Sequence, residues 1–176
     1  MGVRSKIAIL GASGYTGAEL MRLLSVHDRV QIDVLTADRS AGVDFKKIYP
    51  QFSYRNDLPK LTKWEDSRKD IEGCDLAFCC LPHGTTQEII KSLAESSPVK
   101  IIDLSADFRL RDTANYEKWY GKPHVAVALQ EEAVYGLTEI NRHAIKSARV
   151  LANPGCYPTA AQLPLIPLLK NRLILG

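Results

Sequence analysis

Three glycines, each three residues from the next, have the spacing of a phosphate-binding loop. Residues 11–17 read Gly-Ala-Ser-Gly-Tyr-Thr-Gly, between an apolar run at 6–10 and a helical pattern at 16–26. Glycine lets the backbone approach a pyrophosphate, and the first N–H groups of a helix attract anions. The spacing is GxxGxxG rather than GxGxxG, but the strand-loop-helix context that the motif requires is present. The loop therefore predicts a dinucleotide site rather than a ligand-free turn, with candidate residues Gly11, Ser13, Gly14, Tyr15, Thr16 and Gly17.

The residues after the second apolar run bear on which dinucleotide binds. Asp38 lies about 20 residues beyond the loop, where an acidic residue would bind the ribose hydroxyls of NAD. Arg39 and Ser40 follow it directly, and an arginine with a hydroxyl suits the 2′-phosphate of NADP. Spacing alone leaves both cofactors open, beside the alternative of a surface turn.

Cys156 is the candidate nucleophile. It stands in Asn-Pro-Gly-Cys-Tyr-Pro-Thr, residues 153–159, after the last predicted strand. A cysteine at a strand-to-helix turn meets helix N–H groups that stabilise a thiolate and could hold an oxyanion. Alone it would more often be a buried apolar residue. Beside a dinucleotide loop, it predicts thiolate attack coupled to hydride transfer, which interconverts an aldehyde and an acyl-enzyme.

The remaining cysteines favour a structural role. Cys74, Cys79 and Cys80 form no CxxC pair and no disulfide framework, which favours a reducing compartment. Cys79, Cys80 and His83 could be zinc ligands, but the segment around the two cysteines is typical of a buried strand. We therefore expect no metal site.

Composition excludes several classes of protein. The chain has 176 residues, of which 45% are hydrophobic and 24% are charged, a globular balance. A net charge of +3 is too small for electrostatic binding of nucleic acid. No apolar run reaches the roughly 18 residues that would cross a bilayer, so we expect no membrane span.

Short apolar runs alternate with helical patterns along the chain. The pattern predicts a doubly wound parallel α/β sheet of the Rossmann type over residues 1–153. Thr85 is predicted to cap a helix, with Glu88 completing a capping box. Residues 154–176 contain several prolines. We expect this segment to begin a second, α+β substrate domain, and we expect the chain to end inside that domain. The predicted strands are 6–10, 31–36, 75–81, 99–104, 124–128 and 149–152, and the predicted helices are 16–26, 85–94 and 139–147.

Five motifs in this order resemble the N-acetyl-γ-glutamyl-phosphate reductase family of arginine biosynthesis. They are the glycine loop, Pro-His-Gly at 82–84, Asp-Leu-Ser-Ala-Asp-Phe-Arg at 103–109, Tyr-Gly-Leu-Thr-Glu at 135–139 and the Cys156 motif. The resemblance covers nearly the whole chain. The related aspartate-semialdehyde dehydrogenases share the architecture and the cysteine nucleophile, and they remain an alternative. A non-catalytic NADP-sensing module is another, although a sensor has no need of a reactive thiol.

The resemblance implies a reaction and a set of site residues. NADPH would reduce an acyl phosphate to N-acetylglutamate 5-semialdehyde through a Cys156 thioester. Arg109 would bind the anionic substrate, unless it forms a surface ion pair with Asp107 or Asp112. Ser105 would donate a hydrogen bond beside it or merely start a turn, and Asn153 is included by adjacency. The cofactor-side loop would comprise Pro82, His83 and Gly84, unless this is a plain turn.

One part of the family pattern is missing. The family's acid/base histidine lies downstream of the cysteine motif, whereas all four histidines here precede Cys156. We therefore expect these 176 residues alone to be inactive. The family implies a homo-oligomer in the cytoplasm, or in the plastid stroma of a eukaryote. The four histidines are His27, His83, His124 and His143.

Overall fold

A seven-stranded parallel sheet organises the chain. The computed structural model describes residues 4–175, so the outer ends of the predicted domains 1–153 and 154–176 lie outside the described residues. The strand order is β3-β2-β1-β4-β5-β7-β6, and every neighbouring pair is parallel. The strands are β1 (Ser5–Leu10), β2 (Val30–Thr36), β3 (Leu61–Thr62), β4 (Leu76–Cys79), β5 (Lys100–Asp103), β6 (Val134–Tyr135) and β7 (Val150–Ala152).

Among the described residues, seven α-helices connect the strands and an eighth follows the last strand. A short 3₁₀ helix at Pro50–Phe52 follows α2. The strand order reverses between β1 and β4, so a crevice opens there at the carboxyl ends of the strands. The helices are α1 (Tyr15–Leu24), α2 (Phe45–Ile48), α3 (Arg68–Glu72), α4 (Thr86–Ser96), α5 (Thr113–Tyr120), α6 (Val127–Glu132), α7 (Thr138–Ser147) and α8 (Cys156–Lys170).

Two apolar layers cover the sheet. The last four residues of β1 are all buried, as expected for a central strand covered on both faces. One layer includes Met21 of α1 and Phe45 of α2, and the other includes Ile90 and Leu93 of α4. The predicted doubly wound fold is confirmed.

One predicted strand is wrong. The short apolar run at 124–128 predicts a strand, but α6 begins within it at Val127. His124 is buried beside Phe108 and Tyr116, with ring centroids 5.2 Å from each. The apolar run therefore belongs to a segment that packs against neighbouring side chains without pairing with a strand.

Helix α8 exposes several leucine side chains. It is described in full, and none of its residues is buried. Leu163, Leu165 and Leu169 are between 37% and 45% exposed. Pro158 is in the first turn, while Pro164 and Pro167 lie inside the helix. Among residues 4–175, no helix combines the length and apolar character needed to cross a membrane.

Candidate active site and dinucleotide cleft

The glycine loop joins β1 to α1, and two of its glycines are required by packing. Gly11 has φ +79°, and a Cβ there would lie 2.5 Å from the carbonyl oxygen of Cys80. A Cβ on Gly17 would lie 2.6 Å from the carbonyl oxygen of Ala12. Both contacts are too short for any side chain, so these glycines let the loop and helix approach neighbouring backbone.

Gly14 has no such internal reason to be glycine. Its φ is −81°, and a Cβ would lie 3.5 Å from its nearest neighbour, the Gly11 carbonyl oxygen. It caps α1 without a side-chain hydrogen bond, so the first N–H groups of the helix remain available to an anion. The space in front of Gly14 therefore fits a bound phosphate.

A cleft of about 690 Å³ opens in front of this loop. That volume lies within the usual range for small-molecule and cofactor sites. The predicted residues that line it are Gly11, Ser13, Gly14, Thr16, Arg39, Pro82 and His83. The predicted cofactor-binding residues outside its lining are Tyr15, Gly17, Ser40 and Gly84.

The structure gives reasons for those four exceptions. Tyr15 is 92% exposed, and Gly17 is buried against Ala12. Ser40 belongs to the turn after β2, where its carbonyl oxygen accepts a hydrogen bond from the Val43 N–H at 3.2 Å. Gly84 turns towards the interior, where its N–H donates to a buried carboxylate. Asp38 and Arg39 both line the cleft, so the geometry keeps both ribose-binding alternatives open.

Sequence reasoning missed part of the cleft wall. Trp64 follows the two-residue strand β3, which is too short to give an apolar pattern. Thr36 ends β2, and its Oγ1 accepts a hydrogen bond from the Gly11 N–H at 3.3 Å. Its position at a strand end next to the glycine loop is a usable signal. The missed lining residues are Thr36, Ala37, Trp64, Cys80, Leu81, Thr85, Ile89 and Leu104.

His83 is held in one orientation by the neighbouring loop. Its Nδ1 accepts a hydrogen bond from the Ala106 N–H at 2.8 Å. An accepting Nδ1 puts the proton of the neutral ring on Nε2. The ring therefore lines the cleft as an oriented group with a defined tautomer.

Asp107 is buried at the centre of a hydrogen-bond network. Its carboxylate accepts the Gly84 N–H at 2.7 Å, the Thr86 hydroxyl at 2.7 Å and the Tyr116 hydroxyl at 2.8 Å. Burial, and then the bond to this carboxylate, raise the pKa of Tyr116. His124 Nε2 donates to the Asp107 carbonyl oxygen at 2.9 Å, and burial lowers the pKa of the imidazole. Asp107 therefore ties the loop after β4 to the loop after β5.

The capping box predicted at the start of α4 does not form. Thr85 is the residue that precedes the helix, but its hydroxyl donates to the Pro82 carbonyl oxygen at 2.7 Å and makes no cap hydrogen bond. The Thr86 N–H instead donates to Asp107 at 3.3 Å. The anion at this helix end comes from a distant loop.

Ser105 is placed inside the protein rather than on the cleft surface. It is 1% exposed, and its hydroxyl donates to Asp103 at 2.7 Å. Its Oγ also lies 2.8 Å from Thr86 Oγ1 and accepts from the Asp107 N–H at 3.0 Å. With these partners, the hydroxyl is not offered to a substrate, so the structure does not support the predicted donor role. Burial raises the pKa of Asp103 to about 6, against the lowering effect of the Ser105 hydrogen bonds.

Cys156 opens α8, directly after the glycine that precedes the helix. Gly155 has extended backbone angles, and its carbonyl oxygen accepts the first helical hydrogen bond, from the Thr159 N–H at 3.0 Å. Cys156 is exposed, whereas Cys74 and Cys79 are buried and Cys80 is partly buried. The Cys156 thiol is thus the accessible one of the four.

Burial separates the other three thiols chemically. It raises the pKa of Cys74 to about 11 and that of Cys80 to about 12, and it raises the pKa of Cys79 as well. Among the described residues 4–175, no group of three or more histidine, cysteine, aspartate or glutamate side chains has an arrangement that could hold a metal ion. Cys79 instead belongs to the apolar layer that includes Ile90.

Arg109 lies beside the Cys156 turn, and the alternative of a surface ion pair is wrong. Its Nε donates to the Asn153 carbonyl oxygen at 2.8 Å, and its Nη2 donates to that of Leu104 at 2.9 Å. Asp107 is occupied by the contacts above, and Asp112 caps α5 by accepting the Ala114 N–H at 2.9 Å. The Asn153 amide donates to the Pro154 carbonyl oxygen at 3.2 Å. Arg109, Asn153 and Cys156 therefore meet at the end of β7.

Relatives with curated names are similar to nearly the whole chain. A "Probable N-acetyl-gamma-glutamyl-phosphate reductase, chloroplastic" of Arabidopsis thaliana is 58% identical over 169 residues, which are 96% of this chain and 41% of the relative. An "N-acetyl-gamma-glutamyl-phosphate reductase" of Afipia carboxidovorans is 57% identical over 175 residues, 99% of this chain and 49% of the relative. The predicted resemblance is confirmed. The chain spans less than half the length of these relatives.

Solved structures support the fold. Aspartate semialdehyde dehydrogenase II of Vibrio cholerae, complexed with ASA, matches 95% of this chain and 47% of its own, with a TM-score of 0.67 at 19% identity. The Candida albicans enzyme, solved with NADP, has a TM-score of 0.63 at 18% identity and matches 96% of this chain and 47% of its own. The family profile described as "Semialdehyde dehydrogenase, NAD binding domain" matches residues 6–148. By its sequence and its doubly wound sheet, the chain belongs to the semialdehyde dehydrogenase NAD-binding domain family.

Proposed function

We propose that the chain is the cofactor-binding and nucleophile-bearing part of an NADPH-dependent N-acetyl-γ-glutamyl-phosphate reductase. The observation that carries the proposal is the position of Cys156. It is an exposed thiol at the start of a helix, at the carboxyl edge of the sheet into which the dinucleotide cleft also opens. In doubly wound sheets, ligands bind at that edge. The names of the relatives supply the substrate class.

The residues of the chain account for the first half of this reaction. The Cys156 thiolate attacks the acyl carbonyl, the bond to the phosphate oxygen breaks, and phosphate leaves with that electron pair. The first N–H groups of α8 stabilise the oxyanion that forms, and Arg109 supplies positive charge beside the turn. The cleft residues, Gly14 and Arg39 among them, would hold NADPH, which would supply the hydride for reduction of the thioester to the aldehyde, with the Cys156 thiolate as the leaving group.

Cys156→Ala in the full-length gene product tests the assignment. The convenient assay runs in reverse, from N-acetylglutamate semialdehyde, phosphate and NADP, and follows NADPH absorbance. Turnover should fall by at least about 10³-fold because the covalent route is lost. Cys80→Ala is the matched control, since Cys80 lines the cleft but is only partly exposed. Equal turnover by both variants would overturn the proposal. Preference for aspartate semialdehyde would indicate the related dehydrogenase instead.

Arg39 is proposed to select NADPH over NADH. It is exposed on the cleft wall after β2, where the ribose of the adenosine half would lie. Arg39→Ala should weaken NADPH binding by about 1.5–3 kcal/mol and leave NADH binding nearly unchanged, as measured by calorimetry. Arg29→Ala is the control, because Arg29 is exposed and lies outside the cleft. Equal binding of the two cofactors by the unsubstituted chain would favour Asp38 as the ribose ligand.

We further propose that a second domain, beginning near residue 154, covers α8 in the full-length gene product. The exposed leucines of α8 support this, since a helix without any buried residue leaves its apolar surface in water. That domain would also supply the acid/base histidine and the interface of a homo-oligomer. The name of the plant relative agrees with a plastid location in a eukaryote, and a bacterial protein would be cytoplasmic.

A further inference from the structure

The guanidinium of Arg109 joins the ends of two strands. Leu104 follows β5 and Asn153 follows β7, and the carbonyl oxygens of both accept hydrogen bonds from this one planar group, at 2.9 Å and 2.8 Å. The strands are themselves neighbours in the sheet, and the Asn153 N–H donates to the Asp103 carbonyl oxygen at 2.8 Å. Arg109 therefore continues the connection between the strands past the point where the strand pairing stops.

Gly155 shows how closely the guanidinium approaches the turn. A Cβ on Gly155 would lie 2.9 Å from Arg109 Nη1 and 3.2 Å from Pro158 Cδ. Its backbone angles, φ −71° and ψ 155°, suit any residue, so backbone freedom does not require glycine here. The space that a side chain would fill is occupied by the guanidinium, one residue before Cys156.

The hydrogen bonds of Arg109 go to the backbone rather than to a carboxylate. Among the described residues, the ion pairs involve other side chains, and both acceptors of Arg109 are neutral carbonyls. Two guanidinium nitrogens are thus bound to backbone, and Nη1 is the one beside Gly155. A residue that served only to bind substrate would not need hydrogen bonds from two of its nitrogens to backbone carbonyls.

We propose that Arg109 is a positioning residue that fixes the turn carrying Cys156 relative to the end of β5. The proposal rests on the function assigned to Cys156 above and adds to it a mechanical role distinct from anion binding. The planar fork of arginine can bind both carbonyls at once, whereas a lysine ammonium of equal charge cannot reproduce that geometry. The role therefore predicts that shape, and not charge alone, is required at this position.

Hydrogen exchange on the 176-residue chain tests this role directly. Arg109→Lys and Arg109→Gln should both speed exchange of the hydrogen-bonded Asn153 and Thr159 amides, on either side of the Cys156 turn, by about tenfold or more, as the loss of a charge-assisted hydrogen bond implies. Gly155→Ala should do the same, because its Cβ displaces a guanidinium that is still present. Arg111→Gln is the matched control, since Arg111 is exposed in the same loop and should change nothing. Exchange in β1 and β4 shows whether the variants remain folded.

Two outcomes would overturn the positioning role. The first is unchanged exchange at the turn in all three variants. The second is a change with Gln but not with Lys, which would show that charge alone is required. If the Arg109 variants do not fold, Gly155→Ala decides the question by itself.

Turnover of the full-length gene product separates this inference from the proposed function. Arg109→Lys should lower kcat with little change in KM, whereas a purely substrate-binding residue would mainly raise KM. Retained turnover in Cys156→Ala would refute the nucleophile and leave the exchange result standing. An essential Cys156 with unaffected exchange would refute only the positioning role.

Discussion

Access to water distinguishes the four thiols. Cys156 is exposed, while burial raises the pKa of Cys74 to about 11 and that of Cys80 to about 12. We expect limiting iodoacetamide at pH 8 to alkylate Cys156 at least about tenfold faster than the others, because only a thiolate in contact with the reagent reacts. Peptide masses after partial labelling give the order.

Cys156→Ser supplies the control for that labelling. It should remove the fast phase and leave the slow labelling of the other thiols unchanged. Faster labelling of Cys79 or Cys80 in the folded chain would remove the physical support for the nucleophile.

The Asp103 carboxyl makes the free energy of unfolding depend on pH, with a sign that is unusual for a carboxyl group. Burial raises its pKa to about 6, above the value of about 3.9 expected in the unfolded chain. The folded state therefore binds this proton more tightly, and the associated stability is present below pH 4 and is lost as pH rises through 6. Between these two pH values, the contribution of Asp103 to the free energy of unfolding falls by about 2–3 kcal/mol.

Asp103→Asn isolates that contribution. The amide can accept from the Ser105 N–H and donate to the Ser105 hydroxyl, so the local hydrogen bonds can be remade. Urea unfolding at pH 4.5 and pH 7.5 should show that the variant gains stability relative to the wild type as pH rises. A difference between the two proteins that does not change with pH would contradict the expectation.

The sequence located the chemistry at single residues better than it located their partners. The glycine loop and Cys156 could be predicted because each motif carries its own strand-to-helix context. Ser105 and Thr85 could not, because a hydroxyl binds whichever partner the fold brings near. For Ser105 that partner is a buried carboxylate, and for Thr85 it is the carbonyl oxygen of Pro82.

At the scale of elements, α4 depends on an anion from outside its own segment. Both carboxylate oxygens of Asp107 accept hydrogen bonds, from Gly84 and Tyr116 at Oδ1 and from Gly84 and Thr86 at Oδ2. In Asp107→Asn, either orientation of the side-chain amide places its NH₂ group against a group that itself donates a hydrogen bond. We expect the variant to lose about 2–4 kcal/mol of unfolding free energy, as for other buried groups left unsatisfied.

Asp112→Asn is the matched substitution at an exposed helix end. Asp112 caps α5, and asparagine is about as good a cap as aspartate, so the loss should stay within a few tenths of a kcal/mol. Chemical denaturation of the two variants compares them. Similar losses would show that the Asp107 network contributes little beyond an ordinary cap.

The element boundaries show why some of the fold could be predicted. Strands β1, β2, β4, β5 and β7 are the interior strands of the sheet, and their apolar runs marked them clearly. Strands β3 and β6, at the two edges, have two residues each and left no pattern. Helices α2, α3, α5 and α6 are short, and α6 begins where a short apolar run suggested a strand.

For the whole molecule, we expect the 176 residues to bind the cofactor without catalysing the reaction. The glycine loop and Arg39 both line the cleft within the described residues, so the 176-residue chain should bind NADPH, with calorimetry as the measurement. It should not turn over in the reverse assay, because loss of a positioned acid/base typically costs about 10²–10⁴-fold and the substrate pocket would be missing as well. The full-length gene product should restore NADPH formation. Robust turnover by the 176 residues would place the acid/base among the four histidines, with His83 in the cleft as the first candidate.

The position of β7 in the sheet has a consequence for synthesis on the ribosome. This strand comes last along the chain, yet it lies between β5 and β6, so β6 has no partner in the sheet until residues 150–152 have been made. A nascent chain that has emerged only as far as α7 therefore displays β5 as an open, unpaired edge, which is the kind of surface that joins other chains. Translational pausing in that interval would prolong the exposure, and closure of the edge would coincide with the emergence of the turn that carries Cys156.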